Sequence, residues 1–107
     1  MEEIKHLINQ WEEAVDSVDK EIMFEEYVAA LDEREILAHL LKNIDNKDHK
    51  ELEHVNTLDK IFIEKTLESD KNVWGSINEK RHNWNRKDNW YYYRLPKQGF
   101  LKDEDII

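Results

Sequence analysis

The chain has 107 residues, of which 38% are charged, and its formal net charge is −9. This length allows one domain with a core of modest size. The absence of Cys excludes disulfides and thiolate chemistry, and the acidic N-terminus and lack of a long apolar run predict a cytoplasmic protein without membrane spans.

The charges are distributed unevenly along the chain. Residues 1–70 carry 8 Lys or Arg against 20 Asp or Glu, a net of −12. Residues 71–102 carry 8 basic against 2 acidic residues, a net of +6, and the tail 103–107 adds −3. We therefore divide the predicted single domain, 1–107, into an acidic helical part, a basic aromatic segment and an acidic tail.

The acidic part begins with the most regular helical pattern in the sequence. Apolar side chains recur there at steps of three and four, as on one face of a helix. They are Ile4, Leu7, Ile8, Trp11, Val15, Val18 and Ile22. Polar side chains at 16, 17 and 19 compete for backbone hydrogen bonds, so a break is predicted near residues 17–19. A second apolar set follows it: Met23, Tyr27, Val28 and Leu31.

Two further helices are predicted from capping patterns. Asp32 and Glu35 have the spacing of a capping box, so a helix is predicted to start there. Its apolar residues are predicted to form the centre of the bundle: Ile36, Leu37, Leu40, Leu41 and Ile44. Asp48 is predicted to cap a long helix that ends near Ser69. The apolar face of that helix includes Leu52, Val55, Leu58, Phe62 and Thr66.

The basic aromatic segment has mixed signals. A helical step continues through Val73, Trp74, Ile77, Arg81 and Trp84, although Gly75 weakens it. Residues 83–89 have the composition of a turn, and residues 90–95 suit an extended strand that Pro96 limits. The predicted fold is all-α: a small antiparallel bundle of four to five helices with an aromatic-rich C-terminal arm, for which an extended conformation is one alternative.

Three interpretations of the aromatic and basic side chains stay open. The rings can complete a thin core while the basic residues pair with the acidic helices. They can also form a protein-binding surface, because Trp, Tyr and Arg are common interface anchors. Alternatively, residues 80–94 can stack on unpaired bases and hold phosphates, as in a single-stranded nucleic-acid-binding module.

The acidic helical face has two interpretations. Its residues are Glu12, Glu13, Asp16, Asp19, Glu25, Glu26, Asp32 and Glu33. Such a face is either a solvated helix surface or a dock for a basic partner, to which electrostatic attraction gives fast association.

Catalytic and metal-binding patterns are weak. The sequence has no Gly-rich phosphate loop and no nucleophile-elbow motif. We therefore predict that the chain is not an enzyme. Glu51 with His54, and Glu79 with His82, have the spacing of ferritin-like ligands, but the second pair does not share the apolar face. His39, His49 and His54 are a poor set for one metal. No metal and no cofactor are predicted.

The sequence therefore predicts a non-enzymatic inhibitor, immunity or adaptor protein that docks a basic protein partner. The predicted contact residues combine the acidic face with the C-terminal aromatic segment: Glu25, Glu26, Asp32, Trp84, Arg86, Trp90, Tyr92 and Arg94. The second hypothesis is the nucleic-acid-binding module, and the third is a small metal-binding bundle. A homodimer stays open, because exposed aromatic side chains on a thin core favour association.

Overall fold

The computed structural model describes residues 2–20, 22–42 and 49–100. Within these ranges, most residues belong to three long helices: α1 (Glu2–Ser17), α2 (Phe24–Lys42) and α3 (His49–Lys65). The remaining elements are strand β1 (Thr66–Glu68), helix α4 (Gly75–His82), a 3-10 turn (Trp90–Tyr93) and strand β2 (Arg94–Pro96). The prediction of a mostly helical chain is confirmed, and a small two-stranded sheet is added to it.

Helix α1 packs against both other long helices. All seven apolar residues of its predicted stripe and of the following connection are buried, and the predicted break after α1 is confirmed. Trp11 contacts Phe62 with 5.0 Å between ring centroids, and the Lys65 ammonium donates to the Val15 carbonyl. These partners lie progressively further along both α1 and α3, so the two helices run in the same direction. Helix α2, which connects them in sequence, runs back the other way.

Helix α2 is continuous, so the predicted helix start at Asp32 is wrong. Its buried residues are Tyr27, Val28, Leu31, Arg34 and Leu37, which recur at helical spacing from the first turn onwards. Of the residues predicted at the centre of the bundle, Leu37 is fully buried and Leu40 and Leu41 pack partly buried against the core, whereas Ile36 is 50% exposed. Ile44 lies outside the described residues.

Helix α3 ends at Lys65 and not near Ser69, because the next three residues pair with the C-terminal segment. In this antiparallel sheet Leu67 lies opposite Leu95. The Arg94 guanidinium stabilises the junction between α3 and β1, because it donates to the Thr66 hydroxyl at 2.7 Å and to the Thr66 carbonyl. The predicted strand at residues 90–95 is therefore half right: Trp90–Tyr93 is a 3-10 turn and pairing begins at Arg94. Asp48, the predicted cap of α3, lies outside the described residues.

Helix α4 is shorter than predicted and exposes the side chain that was expected inside. It begins at Gly75, whose φ of +86° suits glycine, and Asn83 ends it in the left-handed conformation. Ile77 is 73% exposed, whereas Val73, Trp74 and Trp84 pack partly buried against the core, so the predicted stripe is only partly directed inward. The predicted turn at residues 83–89 is confirmed.

The C-terminal segment crosses back to the start of the bundle. The Gln98 side-chain amide donates to the carbonyls of Val18 and Lys20, in the connection between α1 and α2. Phe100 packs against Phe24 and Tyr27, with 5.3 Å between ring centroids in each case. Residues 84–100 therefore contribute to the core, and they link the C-terminal part of the fold to the α1–α2 connection and the start of α2.

Candidate functional site

Three consecutive tyrosines attach the C-terminal segment to the helices. Their side chains are at most 4% exposed. Each hydroxyl donates a hydrogen bond to a different carboxylate: Tyr91 to Glu35, Tyr92 to Asp32 and Tyr93 to Glu79. Three carboxylates that would otherwise be free to contact solvent or a partner are therefore bound within the chain.

The two acceptors on α2 receive further hydrogen bonds. The Trp74 indole donates to Asp32 at 3.1 Å, and the Asn89 side-chain amide donates to Glu35 at 2.9 Å. Burial opposes the charge on Glu35, but hydrogen bonds from Tyr91, Asn89 and His39 outweigh it and lower the pKa of this carboxyl group. Burial and then the bond to Asp32 raise the pKa of Tyr92. Asp32 and Glu35, one turn apart, thus act as an internal anchor.

A buried ion pair joins α2 to α3 beneath this anchor. Arg34 donates to Asp59 through Nε at 3.1 Å and through Nη2 at 2.7 Å, and the two side chains are 8% and 13% exposed. The Trp11 indole donates to the same carboxylate at 3.0 Å. The guanidinium also lies 5.1 Å from the Tyr91 ring centroid, close enough for a cation–π contact. The cation is therefore held by one carboxylate and by aromatic rings.

An open groove lies between α1 and α3. Its volume is about 690 Å³. The buried side chains of Val15 and Leu58 and the partly exposed side chain of Ile61 form its apolar floor, and three α1 carboxylates form its rim: Glu12, Glu13 and Asp16. Lys65 also lines the groove, but it lies 3.2 Å from Asp19 and donates to the Val15 carbonyl. The lining is therefore apolar in the middle and negative along the α1 side. We refer to it as the α1–α3 groove.

A smaller cleft of about 340 Å³ lies between α2 and the turn that follows α4. Glu35, Asn89 and Tyr91 line it, and both Asn89 and Tyr91 donate to the Glu35 carboxylate. Asn85 accepts from the backbone of Lys87 and Asp88, so it too is occupied within the fold. The polar groups of this cleft stabilise the structure of the turn.

Comparison with known proteins gives no match. The chain resembles no family model, no curated protein and no solved structure at a significant level. Its own side chains are therefore the basis for assigning a function.

The eight predicted contact residues do not form one surface. Asp32, Trp84, Trp90, Tyr92 and Arg94 contact other parts of the chain and are buried or half-buried. Arg86 lies over the Tyr93 ring, 4.7 Å from its centroid, and donates to the Asp70 carbonyl. Glu25 and Glu26 are exposed in the first turn of α2, where acidic side chains also favour the helix, and Arg86 is exposed as well. Their role in binding a partner stays a prediction.

Sequence reasoning named the acidic rim but missed the groove. Glu12, Glu13 and Asp16 belong to the predicted acidic face, yet nothing in the sequence indicated that α1 lies beside α3. The buried pair was also missed, although it left a signal. Arg34 continues the apolar spacing of Tyr27 and Leu31, and a cation on a buried helical face requires a carboxylate partner.

The described residues also bear on the two other hypotheses. Tyr91 to Tyr93 are buried, and Trp84 stacks with His82 and Tyr92 at 4.5 and 4.3 Å, so these rings are occupied by intramolecular contacts. In the described part of the chain, no three His, Asp or Glu side chains come together as a metal-binding group. The His49 side chain is outside that part. Among the same residues, no helix combines the length and apolar character needed to cross a bilayer.

Proposed function

We propose that this chain is a non-enzymatic protein-binding module of the inhibitor, immunity or adaptor type. Its α1–α3 groove receives a basic, partly apolar segment of a partner protein. The observation that supports this proposal is the combination of an apolar lining at Val15, Leu58 and Ile61 with a rim of three carboxylates. A partner helix with Leu or Ile on one face and Lys or Arg beside it matches both properties.

The rim carboxylates are available for exchange with a partner. Glu12 faces His54 at 3.4 Å, and Asp16 faces Lys20 at 3.1 Å, both as exposed pairs. Exposed ion pairs contribute little to stability, typically about 0.2–1 kcal/mol, so replacing them with intermolecular pairs costs little. Glu13 is exposed as well. Negative rim charges also speed the encounter with a basic partner.

The C-terminal aromatic residues have a supporting role in this proposal. Tyr91, Tyr92 and Tyr93 hold the segment against α2 and α4 through hydrogen bonds to carboxylates. Using these rings for a partner would remove one hydrogen-bond donor from each of Asp32 and Glu35. We therefore assign the partner contact to α1 and α3, away from residues 84–94.

A direct test uses a synthetic helical peptide with Leu and Lys at helical spacing. Binding is measured by fluorescence anisotropy against the wild type and two charge-reversed variants. Glu12→Lys with Glu13→Lys reverses the groove rim. Glu25→Lys with Glu26→Lys makes the same charge change on exposed α2 residues outside the groove lining.

We expect the rim variant to bind about tenfold more weakly or worse, a change of about 1.4 kcal/mol, and the α2 variant to bind nearly as the wild type does. Equal binding by the wild type and the rim variant would overturn the proposal. A loss confined to the α2 variant would instead support the predicted partner contact at Glu25 and Glu26. Replacing the peptide with single-stranded RNA tests the nucleic-acid hypothesis, which requires binding that weakens steeply with salt.

A further inference from the structure

Helix α4 has an outer face that the rest of the described chain leaves uncovered. None of its residues is buried, and Ile77, at 73%, has the highest exposure among its large hydrophobic residues in the described ranges. Lys80 and Arg81 follow three and four positions later, so they lie beside Ile77 on the same side of the helix, and both are exposed. We refer to these three residues as the α4 face.

The opposite side of α4 is attached to the molecule. The Asn78 amide donates to the Trp74 carbonyl, and Glu79 accepts the Tyr93 hydroxyl. Through Trp74, which also bonds Asp32, helix α4 is linked to α2. The attachment fixes α4 in place while its apolar and basic side points outward.

The α4 face is complementary to the α1–α3 groove in three respects. Its basic pair matches the acidic rim, and Ile77 matches the partly exposed Ile61 in the apolar lining. The lengths also agree: α4 has 8 residues, and the groove follows α1 from Asn9 to Asp16. Each of these helical stretches is about 12 Å long at 1.5 Å per residue.

We infer that the α4 face of one copy of this chain docks in the α1–α3 groove of a second copy. This inference rests on the proposed function, because it names one basic partner for the same groove. No α4 residue lines the groove of its own chain, and the link through Trp74 to Asp32 holds α4 at α2. The complementary surfaces therefore meet between molecules.

The net charge of −9 sets a limit on the strength of this association. Two copies repel each other at long range. At physiological ionic strength, however, the screening length is about 8 Å, so distant acidic surfaces contribute little while oppositely charged groups in contact still attract. A two-turn helix also gives a contact at the small end of the interface range, which favours weak and reversible association.

The two contact surfaces differ, so the association is heterologous. Each copy then keeps a free groove or a free α4 face after one contact forms, and further copies can join as a ring or an open chain. The expected product is a concentration-dependent series of oligomers.

The experiment is sedimentation velocity of the full chain from about 10 µM to about 1 mM, a range suited to weak association. Two charge-reversed variants are compared with the wild type: Glu12→Lys with Glu13→Lys in the groove, and Lys80→Glu with Arg81→Glu on α4. Lys60→Glu with Lys71→Glu is the matched control, because both residues are exposed and lie outside α4 and the groove lining. Circular dichroism checks that every variant is folded.

We expect the wild type and the control to gain mean mass with concentration, and each contact variant alone to stay monomeric. Mixing the two contact variants should restore association, because the acidic α4 of one meets the basic groove of the other, and the reverse pair also matches. A wild type that stays monomeric, a contact variant that associates like the wild type, or a mixture that stays monomeric would overturn the inference. If the wild type stays monomeric yet binds the basic peptide, only the inference fails; if it binds neither, the proposed function fails too.

Discussion

The buried pair between Arg34 and Asp59 gives a stringent prediction about stability. Asp59→Ala removes the acceptor of two Arg34 hydrogen bonds and of the Trp11 indole, while the Arg34 side chain stays only 8% exposed. Breaking a buried ion pair by removing one partner typically costs about 3–5 kcal/mol, because the remaining charge is desolvated without a partner. The cation–π contacts of Arg34 place the expected loss toward the lower end, near 3 kcal/mol.

The complementary variant changes both partners. Arg34→Met with Asp59→Leu replaces the charges by apolar groups of similar size, and such replacements are often neutral in buried pairs. The Trp11 indole still loses its acceptor, so we expect a net loss of about 1–2 kcal/mol, close to the cost of one unsatisfied donor.

Urea denaturation followed by circular dichroism and by Trp fluorescence measures both variants. We expect the double variant to be more stable than Asp59→Ala by at least about 1 kcal/mol. If Asp59→Ala lost less than 1 kcal/mol, Arg34 would have to reach water or another acceptor in solution. A double variant less stable than Asp59→Ala would refute the assignment of the cost to an unpaired charge.

Two further predictions concern the core and the anchor on α2. Phe62→Ala should destabilise the fold by about 3–5 kcal/mol in urea titrations. The reason is that Phe62 is 1% exposed and contacts the rings of Trp11, Tyr27 and Trp90. A loss below about 1 kcal/mol would mean that these rings are not the core. Glu35→Gln should lose stability at pH 7 but not at acid pH. The folded state lowers the pKa of Glu35, so its contribution is complete above the unfolded value of about 4.3 and is lost as the pH falls through the lower folded value. Urea titrations of both proteins between pH 7 and pH 3 check this, and a difference that does not change with pH would contradict it.

The parts of the fold that could be predicted from the sequence depend on local spacing. In α1 the buried side chains from Ile4 to Val15 lie on one helical stripe, and any packing partner would have to cover that stripe. The break after Ser17 likewise follows from neighbouring polar side chains. These features need no knowledge of the distant parts of the chain.

The errors arise where residues far apart in sequence decide the outcome. Asp32 and Glu35 have the spacing of a helix cap, yet Tyr92 and Tyr91 use their carboxylates from about 60 residues away. A capping pattern and a pair of acceptors on one helical face have the same spacing. Only the position of the C-terminal segment distinguishes them.

Of the candidate site, only the negative charge could be predicted from the sequence. Glu12, Glu13 and Asp16 were recognised as an acidic surface, but the apolar lining from Leu58 and Ile61 comes from a helix whose neighbour the sequence does not specify. The exposed Ile77 was predicted inside for a related reason. A helical step of apolar residues indicates a face, but in a helix of 8 residues it does not show that another element covers that face.

The contact of Gln98 with the connection between α1 and α2 has a consequence for synthesis. The amide of Gln98 binds the Lys20 carbonyl across 78 residues of sequence. Ribosomes add about 5–20 residues per second, so on the order of 4–16 s separate the two groups during translation. Throughout that interval the nascent helices have no C-terminal segment to bind, and the net charge of −12 on residues 1–70 makes neighbouring unfinished chains repel one another. The acidic character of residues 1–70 is therefore expected to limit association between unfinished chains.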